Sequence, residues 1–598
     1  MNPIVERITA LRTLMKKRGI DIYYIPNGDD HLSAEYTADY FKCKPFMSGF
    51  TGDAGCLIVT STFAGLWTDG RYFTQAEKEL KNTGIELMRM GQAGVPTAHD
   101  YLVKACPKKG CIGFDGSIVS VAFVESLKDA LQPKQAKIAM NEDLVAHIWE
   151  KRPPMPSEKL FVLPSKYTGE SAKERIKRVQ TSMKEKQADV LVLTQLEDPC
   201  WMLNVRGDDI ACTPVAYAFA LVTQNTVTYY VDLKKVTRVV RAHLEDAKVR
   251  IKKYDAIYED LTKLKNQTIW VDLNGLNALL YEKISKSNKI LNEASPILLM
   301  RAVKNATEIK QIRKTHIKDG VAMVKFLYWL KTNIGKIPMD EISAENALYA
   351  FREQQEEYLE PSFPTISAYK GNAAMMHYSA SETSNAKLKK EGFLLVDSGG
   401  TYLGGTTDIT RTIALGKLSA KEKYYFTKVL AYNLRLGRAK FLYGSTGQNL
   451  DILARGVIWD MDIDYQCGTG HGVGHVLGVH EGPHGIRWGN PANGKLPAVL
   501  EPGMIVTNEP GIYEPHKLGI RIENELLVVK GKKNFYGQFL EFECVTYCPI
   551  DLDAIDPKAL SQEDKAQLNA YHKDVYKKLS PYLTKVEKAW LKEATREV

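Results

Sequence analysis

The run Gly392-Phe-Leu-Leu-Val-Asp397-Ser-Gly-Gly opens a stretch, reaching to Glu543, around which the chain is organised. An apolar segment closes there on a carboxylate. Eleven residues on comes Thr406-Thr-Asp408-Ile-Thr-Arg-Thr412. Four more motifs follow: Gly468-Thr-Gly-His471-Gly-Val-Gly474, Val479-His480-Glu-Gly-Pro483, Thr507-Asn-Glu509-Pro-Gly511 and Gly519-Ile-Arg521-Ile-Glu523-Asn524. Each acid or imidazole stands among glycines or at the end of a β-branched run, not on an amphipathic helix. Polar groups at strand ends and tight turns suit a site whose ligands converge from several strands.

The spacing has a physical reading. Leu394 to Asp397 has the pattern of a short buried strand, and the glycines from Gly399 to Gly405 suit a hairpin or wide turn. Asp408 is expected on a returning strand, Thr406 to Ile413, sharing a face with Thr410 and Thr412. Arg521 and Glu523 share a face of a strand expected over Gly519 to Val529, with Ile520 and Ile522 opposite. Carboxylates on neighbouring strands repel unless they are protonated or bridged by a cation. Asp397, Asp408, Glu509 and Glu523, with His471 as the single nitrogen donor, make an oxygen-rich set. Such a set fits two divalent ions with bridging carboxylates, and it suits manganese or another hard-to-borderline metal better than a zinc site rich in His and Cys. Any one motif alone matches a turn or a glycine-rich loop; six in order define a site.

At 598 residues the chain is too long for one core, and three or four domains are expected. Lys and Arg total 80 against 71 acids, and no like-charge block of five residues occurs, so nucleic-acid binding is not indicated. No run of eighteen apolar residues occurs, so no membrane span is expected. Nine scattered cysteines without a Cys-x-x-Cys pair suit a reducing compartment, and the cytoplasm is the expected location.

Ile4, Ile8, Leu11 and Met15 trace a helical stripe closed by Lys16-Lys-Arg18-Gly19, before a strand from Ile20 to Ile25 and another from Cys56 to Thr60. From Tyr167 the plan restarts: a helix through Ile176, Val179 and Met183, then strands near Val190 to Leu193 and Tyr217 to Val222. This repetition predicts two related α/β domains, joined by the proline-rich Arg152-Pro-Pro-Met-Pro156. Asn305-Ala-Thr-Glu308 reads as a capping box for a helix on which His316 is a packed histidine, not a ligand. Ser561 to Val598 reads as two charged amphipathic helices split at Ser580-Pro581.

Three other matches fail. His480-Glu-Gly-Pro-His484 fits the zincin pattern, which works only on a helix that Gly482-Pro483 would break. Gly489-Asn-Pro-Ala-Asn-Gly494-Lys495 has most of a phosphate loop, but Leu496 replaces the hydroxyl and no strand precedes it. Gly468 to Gly474 lacks the register of a nucleotide loop.

The six motifs resemble those of the pita-bread metallopeptidases: methionine aminopeptidases, prolidases and aminopeptidase P. Phe46-Met-Ser-Gly-Phe-Thr-Gly-Asp-Ala-Gly55 and Leu66-Trp-Thr-Asp-Gly-Arg71-Tyr-Phe resemble the first domain of aminopeptidase P. Trp201-Met-Leu-Asn-Val-Arg-Gly-Asp-Asp209 resembles its second domain, so the likeness covers nearly the whole chain and is closest to the long cytosolic form. One departure shows: the family's usual His-Gly-Thr-Gly-His reads Cys467-Gly-Thr-Gly-His471, which keeps the ligand and removes a second imidazole.

The resemblance implies a fold of α/β and α+β parts. Two related, creatinase-like α/β domains, 1–155 and 156–301, would precede a pita-bread catalytic domain with a helical tail, 302–598. It implies two metal ions, with Asp397 gripping one, His471 and Glu509 the other, and Asp408 and Glu523 bridging. His480 would stabilise the tetrahedral intermediate, and His377 would contact the residue after the scissile bond. Arg521 would hold Asp408 or its neighbours ionised, and Arg71 would reach toward the peptide. Asp69 and Arg71 equally suit a plain turn in which they pair with each other.

The implied activity is release of an amino-terminal residue preceding proline, by a cytoplasmic homodimer. An Xaa-Pro bond is a tertiary amide with a fixed ring and no N–H, so a site must read the ring instead. Prolidase is the nearest alternative, with a preference for dipeptides; the duplicated amino-terminal half argues against it. A non-catalytic pita-bread binding protein would have lost ligands, and this chain has lost none.

Overall fold

The computed structural model describes residues 2–33, 35–489 and 497–598. The rejected phosphate-loop match falls mostly on 490–496, outside the described residues. The chain divides into two compact units, Met1–Pro164 with Glu170–Ile297, and Ser165–Gly169 with Leu298–Val598.

The first unit opens on helix Pro3–Arg18, capped by the Asn2 side chain at one end and by Gly19 at φ 66° at the other. A left-handed residue there ends the helix at no steric cost only when it lacks a Cβ. The predicted stripe of Ile4, Ile8, Leu11 and Met15 is its buried face. Two six-stranded sheets follow. The first is built from Ile22–Pro26, Cys56–Thr60, Ala64–Thr68, Glu86–Arg89, Cys111–Gly113 and Lys137–Ala139. The second is built from Val190–Leu193, Ala218–Thr223, Val227–Val231, Val249–Lys252, Thr268–Val271 and Lys289–Asn292. Counted along the chain within each sheet, both have the strand order 4-3-2-1-5-6. In both, the first three strands pair antiparallel and every other pairing is parallel. The sheets are two copies of one α/β plan.

The second unit is organised by helix Ala306–Asn333. Its Asn305 cap accepts from Thr307 and Glu308, and the Glu308 side chain answers at the Asn305 amide. Two antiparallel sheets carry the acidic motifs. One joins Ile366–Tyr369, Phe393–Ser398 and Ile409–Ala414; the other runs Lys440–Leu442, Gly537–Cys544, Asn524–Asn534, Ile505–Asn508, Gly470–Gly472, Glu481–Ile486. Between them lies the hairpin Gly511–Glu514 with Leu518–Arg521. Helix Ala420–Gly437 covers this layer through Phe426, Val429 and Leu430, which pack with Val506, Ile520 and Ile522. The tail forms helices Gln562–Leu579 and Lys585–Ala594, and Val575, Leu579 and Leu591 pack on Val321 and Val324. Among the described residues no helix is long and apolar enough to cross a membrane.

Two expected strands are broken. The Thr406 to Ile413 strand is interrupted, because the Asp408 amide donates to the Glu525 side chain (2.6 Å) and not to a ladder partner. The Gly519 to Val529 strand divides at Ile522-Glu523. There the Glu523 amide turns to the Thr410 carbonyl (3.1 Å), so the chain changes partners between sheets. The breaks leave Asp408 and Glu523 at strand ends with their side chains free to converge.

Candidate metal centre

Asp397 lies near the end of strand Phe393–Ser398, directly opposite Thr410 on the neighbouring strand. Thr410 donates to Glu523 Oε2 (2.7 Å), which draws the second sheet's acid to the first sheet. Glu509 follows strand Ile505–Asn508, and its amide is fixed by the Thr469 carbonyl (2.8 Å) two residues before His471. Asn433 donates to the carbonyls of Asn508 (2.8 Å) and Ile522 (3.0 Å), tying the residues before Glu509 and Glu523 to one helix.

The five residues converge. His471 Nε2 lies 3.4 Å from Asp408 Oδ2 and 3.5 Å from Glu509 Oε1. His471 Nδ1 meets the Gly472 carbonyl at 3.0 Å, which makes Nδ1 an N–H donor and turns Nε2 toward the acids. One donor atom each of Asp408, His471 and Glu523 falls within 4.8 Å of the others. Burial and the neighbouring Asp397 and Glu509 carboxylates push the Asp408 carboxyl well up; burial, Asp408 and Glu509 do the same to Glu523. Asp397 Oδ1, Asp408 Oδ1 and Glu523 Oε1 are buried and take no hydrogen bond from the described residues. Buried carboxylate oxygens facing one another without donors are the coordination sphere of a hard cation. The residues fit a metal pair.

Arg521 is the one guanidinium in the cluster. It donates through Nη2 to Asp397 Oδ2, through Nε to Thr410 Oγ1 (3.1 Å) and through Nη1 to the Tyr513 hydroxyl (2.6 Å). Its carboxylate partner is thus Asp397, a neighbour of Asp408. His480 is exposed, its ring set edge-on to His471 at 4.1 Å between centroids. His484, the other histidine of the zincin match, is turned away: its Nε2 meets the Ile505 carbonyl at 2.6 Å, and burial lowers it to about 4.

The domain models describe the same molecule. Creatinase/prolidase N-terminal domains match residues 7–147 and 151–308, metallopeptidase family M24 matches 310–530, and its C-terminal region matches 538–598. A probable Xaa-Pro aminopeptidase P of Laccaria bicolor is 40% identical over 592 residues, covering 97% of this chain and 91% of its own. The chain belongs to the Xaa-Pro aminopeptidases. Within that family, the X-prolyl aminopeptidase of Caenorhabditis elegans, solved as a cytosolic enzyme with a di-nuclear active site, is similar over 100% of both chains (TM-score 0.95, 32% identity). An Xaa-Pro dipeptidase from Bacillus anthracis is similar over 64% of this chain and 99% of its own (TM-score 0.50, 26% identity). The dipeptidase reading therefore leaves over a third of this aminopeptidase unmatched.

Two other predicted residues lie elsewhere in the chain's elements. His377 is half-buried in the turn after Lys370–Ala374, a segment packed on the Arg521 strand. Arg71, in the first unit, grips Asp69 with two bonds of 2.9 Å and lies 4.0 Å from Glu35. That is the arrangement expected of a plain turn. Sequence reasoning passes over Thr410 as a bridge, Tyr513 as a rest for Arg521, and Glu525. The last was findable, since Arg521, Glu523 and Glu525 alternate at period two.

Proposed function

We propose that this aminopeptidase removes the amino-terminal residue from peptides with proline in second position, using Asp397, Asp408, His471, Glu509 and Glu523 to hold two divalent ions. The observation that carries the reading is the approach of Asp408 Oδ2 and Glu509 Oε1 to one imidazole nitrogen, beside buried oxygens of Asp397, Asp408 and Glu523 to which no described residue donates. Four carboxylates and a single imidazole favour manganese among the available ions. When bound, the ions supply Lewis-acid polarisation and lower the pKa of a water.

The chain's own groups do the rest. Arg521 keeps Asp397 oriented, through a charge-assisted hydrogen bond from Nη2 to Asp397 Oδ2. Tyr513 and Thr410 fix the guanidinium in turn. His480, whose ring lies against that of His471, is assigned to the oxyanion of the tetrahedral intermediate. His377 is assigned to the residue after the scissile bond, and Arg71 to the peptide beyond its first residue.

A homodimer fits the exposed pair of Trp459 (42% accessible) and Trp488 (57%), whose rings meet at 6.0 Å on one face of the second unit. Nine scattered cysteines without a Cys-x-x-Cys pair suit the cytosol. The test is hydrolysis of Xaa-Pro dipeptides against longer Xaa-Pro peptides, on protein of known metal content and measured size. Longer peptides should be cleaved well, by a dimer carrying two ions per chain. Activity confined to dipeptides would make the protein a prolidase, and a metal-free preparation that reloading cannot activate would leave only a binding role.

A further inference from the structure

Behind the cluster sits a buried carboxylate that the five ligands do not account for. Glu525 is 1% exposed, and its Oε1 accepts the Asp408 amide at 2.6 Å. Its Oε2 lies 3.3 Å from Nε2 of His316, itself 2% exposed, and among the described residues neither atom has another hydrogen-bond partner. The Glu525 backbone is pinned on both sides, its amide to Thr546 Oγ1 (2.8 Å) and its carbonyl to the Val545 amide (3.0 Å). His316 stands one turn after Ile312, which packs with Val473, Ile505, Leu527 and Val545. The same helix abuts the turn leading into Asp408: a Cβ at Gly404 would meet Thr315 Oγ1 at 2.8 Å, and one at Gly405 would meet Ile312 at 3.3 Å.

We infer that Glu525 and His316 are a positioning pair for the metal centre: Glu525 fixes the Asp408 amide, and His316 fixes Glu525. An amide held by a carboxylate locks the turn that aims the Asp408 side chain, and a carboxylate without a second partner in this apolar setting would swing or draw in water. A carboxylate is the side chain for the task, because one oxygen serves the amide while the other faces the imidazole. The inference rests on Asp408 being a metal ligand.

Two variants of nearly equal volume separate the roles. Glu525→Gln keeps an acceptor for the Asp408 amide; Glu525→Met does not. Manganese affinity is measured by chelator competition, alongside kcat and KM on an Xaa-Pro tripeptide and Tm. Losing an outer partner of a metal ligand typically costs about 10- to 100-fold in metal affinity or activity. Glu525→Met should show that loss in affinity and kcat, with KM within about twofold, and Glu525→Gln should recover most of it. His316→Ala should shift affinity in the same direction by less. A folded Glu525→Met with wild-type affinity and kcat overturns the pair, as does a Glu525→Gln as impaired as Glu525→Met or an unchanged His316→Ala. Wild-type protein that binds no manganese in the same titration overturns the metal reading itself, and with it this one.

Discussion

Thr410 and the two histidines show how roles divide at the scale of single residues. Thr410 receives Arg521 Nε and donates to Glu523, so one hydroxyl joins the guanidinium to an acid from the other sheet. His471 stands between Gly470 and Gly472 and His480 between Val479 and Glu481, and their positions in the fold separate their roles. His471 Nε2 points between Asp408 and Glu509, whereas His480 stands exposed and edge-on to it. Replacement should divide them the same way. Asp408→Ala should abolish turnover and reduce bound metal, because its oxygens face both His471 and Glu523. His480→Ala should keep its metal while kcat falls roughly 10²-fold, the usual scale for losing one oxyanion or proton-transfer group. Metal analysis after dialysis decides: loss of metal from His480→Ala would make it a ligand.

At the scale of elements, the glycines around His471 are required by close approach and not by turn geometry. A Cβ on Gly470 would lie 1.9 Å from the Thr507 carbonyl oxygen, on the strand that leads to Glu509. Gly470→Ala must therefore push strand Gly470–Gly472 off Ile505–Asn508 and part His471 from Glu509. Overpacking of this kind typically costs 1–3 kcal/mol, about enough to lower Tm by several degrees. We expect lower Tm and lost metal together; a Gly470→Ala variant with wild-type Tm and metal content would mean that the strands yield freely. The breaks at Asp408 and Glu523 were hidden from the sequence for a related reason. Side-chain alternation continues through a strand that changes partners, so Arg521, Glu523 and Glu525 read as one strand when they serve two sheets.

Over the whole molecule, the first unit repeats one α/β plan, and the metal chemistry uses none of it. Arg71 is the residue there assigned to the substrate, yet it is held by Asp69 and its side chain is 31% accessible. A partly exposed pair carries little stability, so Arg71→Ala should fold normally. Its KM for peptides of three or more residues should rise while both ions stay bound and dipeptide cleavage is unaffected. Equal kinetics on long and short peptides would reduce the turn to packing.

The sequence by itself named the five candidate ligands and determined the capped helices and the repeated amino-terminal plan. Those features are written locally, in glycines beside acids, in Asn305 with Glu308, and in apolar stripes at helical spacing. Only the tertiary structure decided which carboxylate Arg521 holds and that Glu525 reaches the Asp408 amide across 117 residues. Such pairings depend on which strands become neighbours and at what register. A motif can state which groups are present, while their partners are fixed when the sheets close.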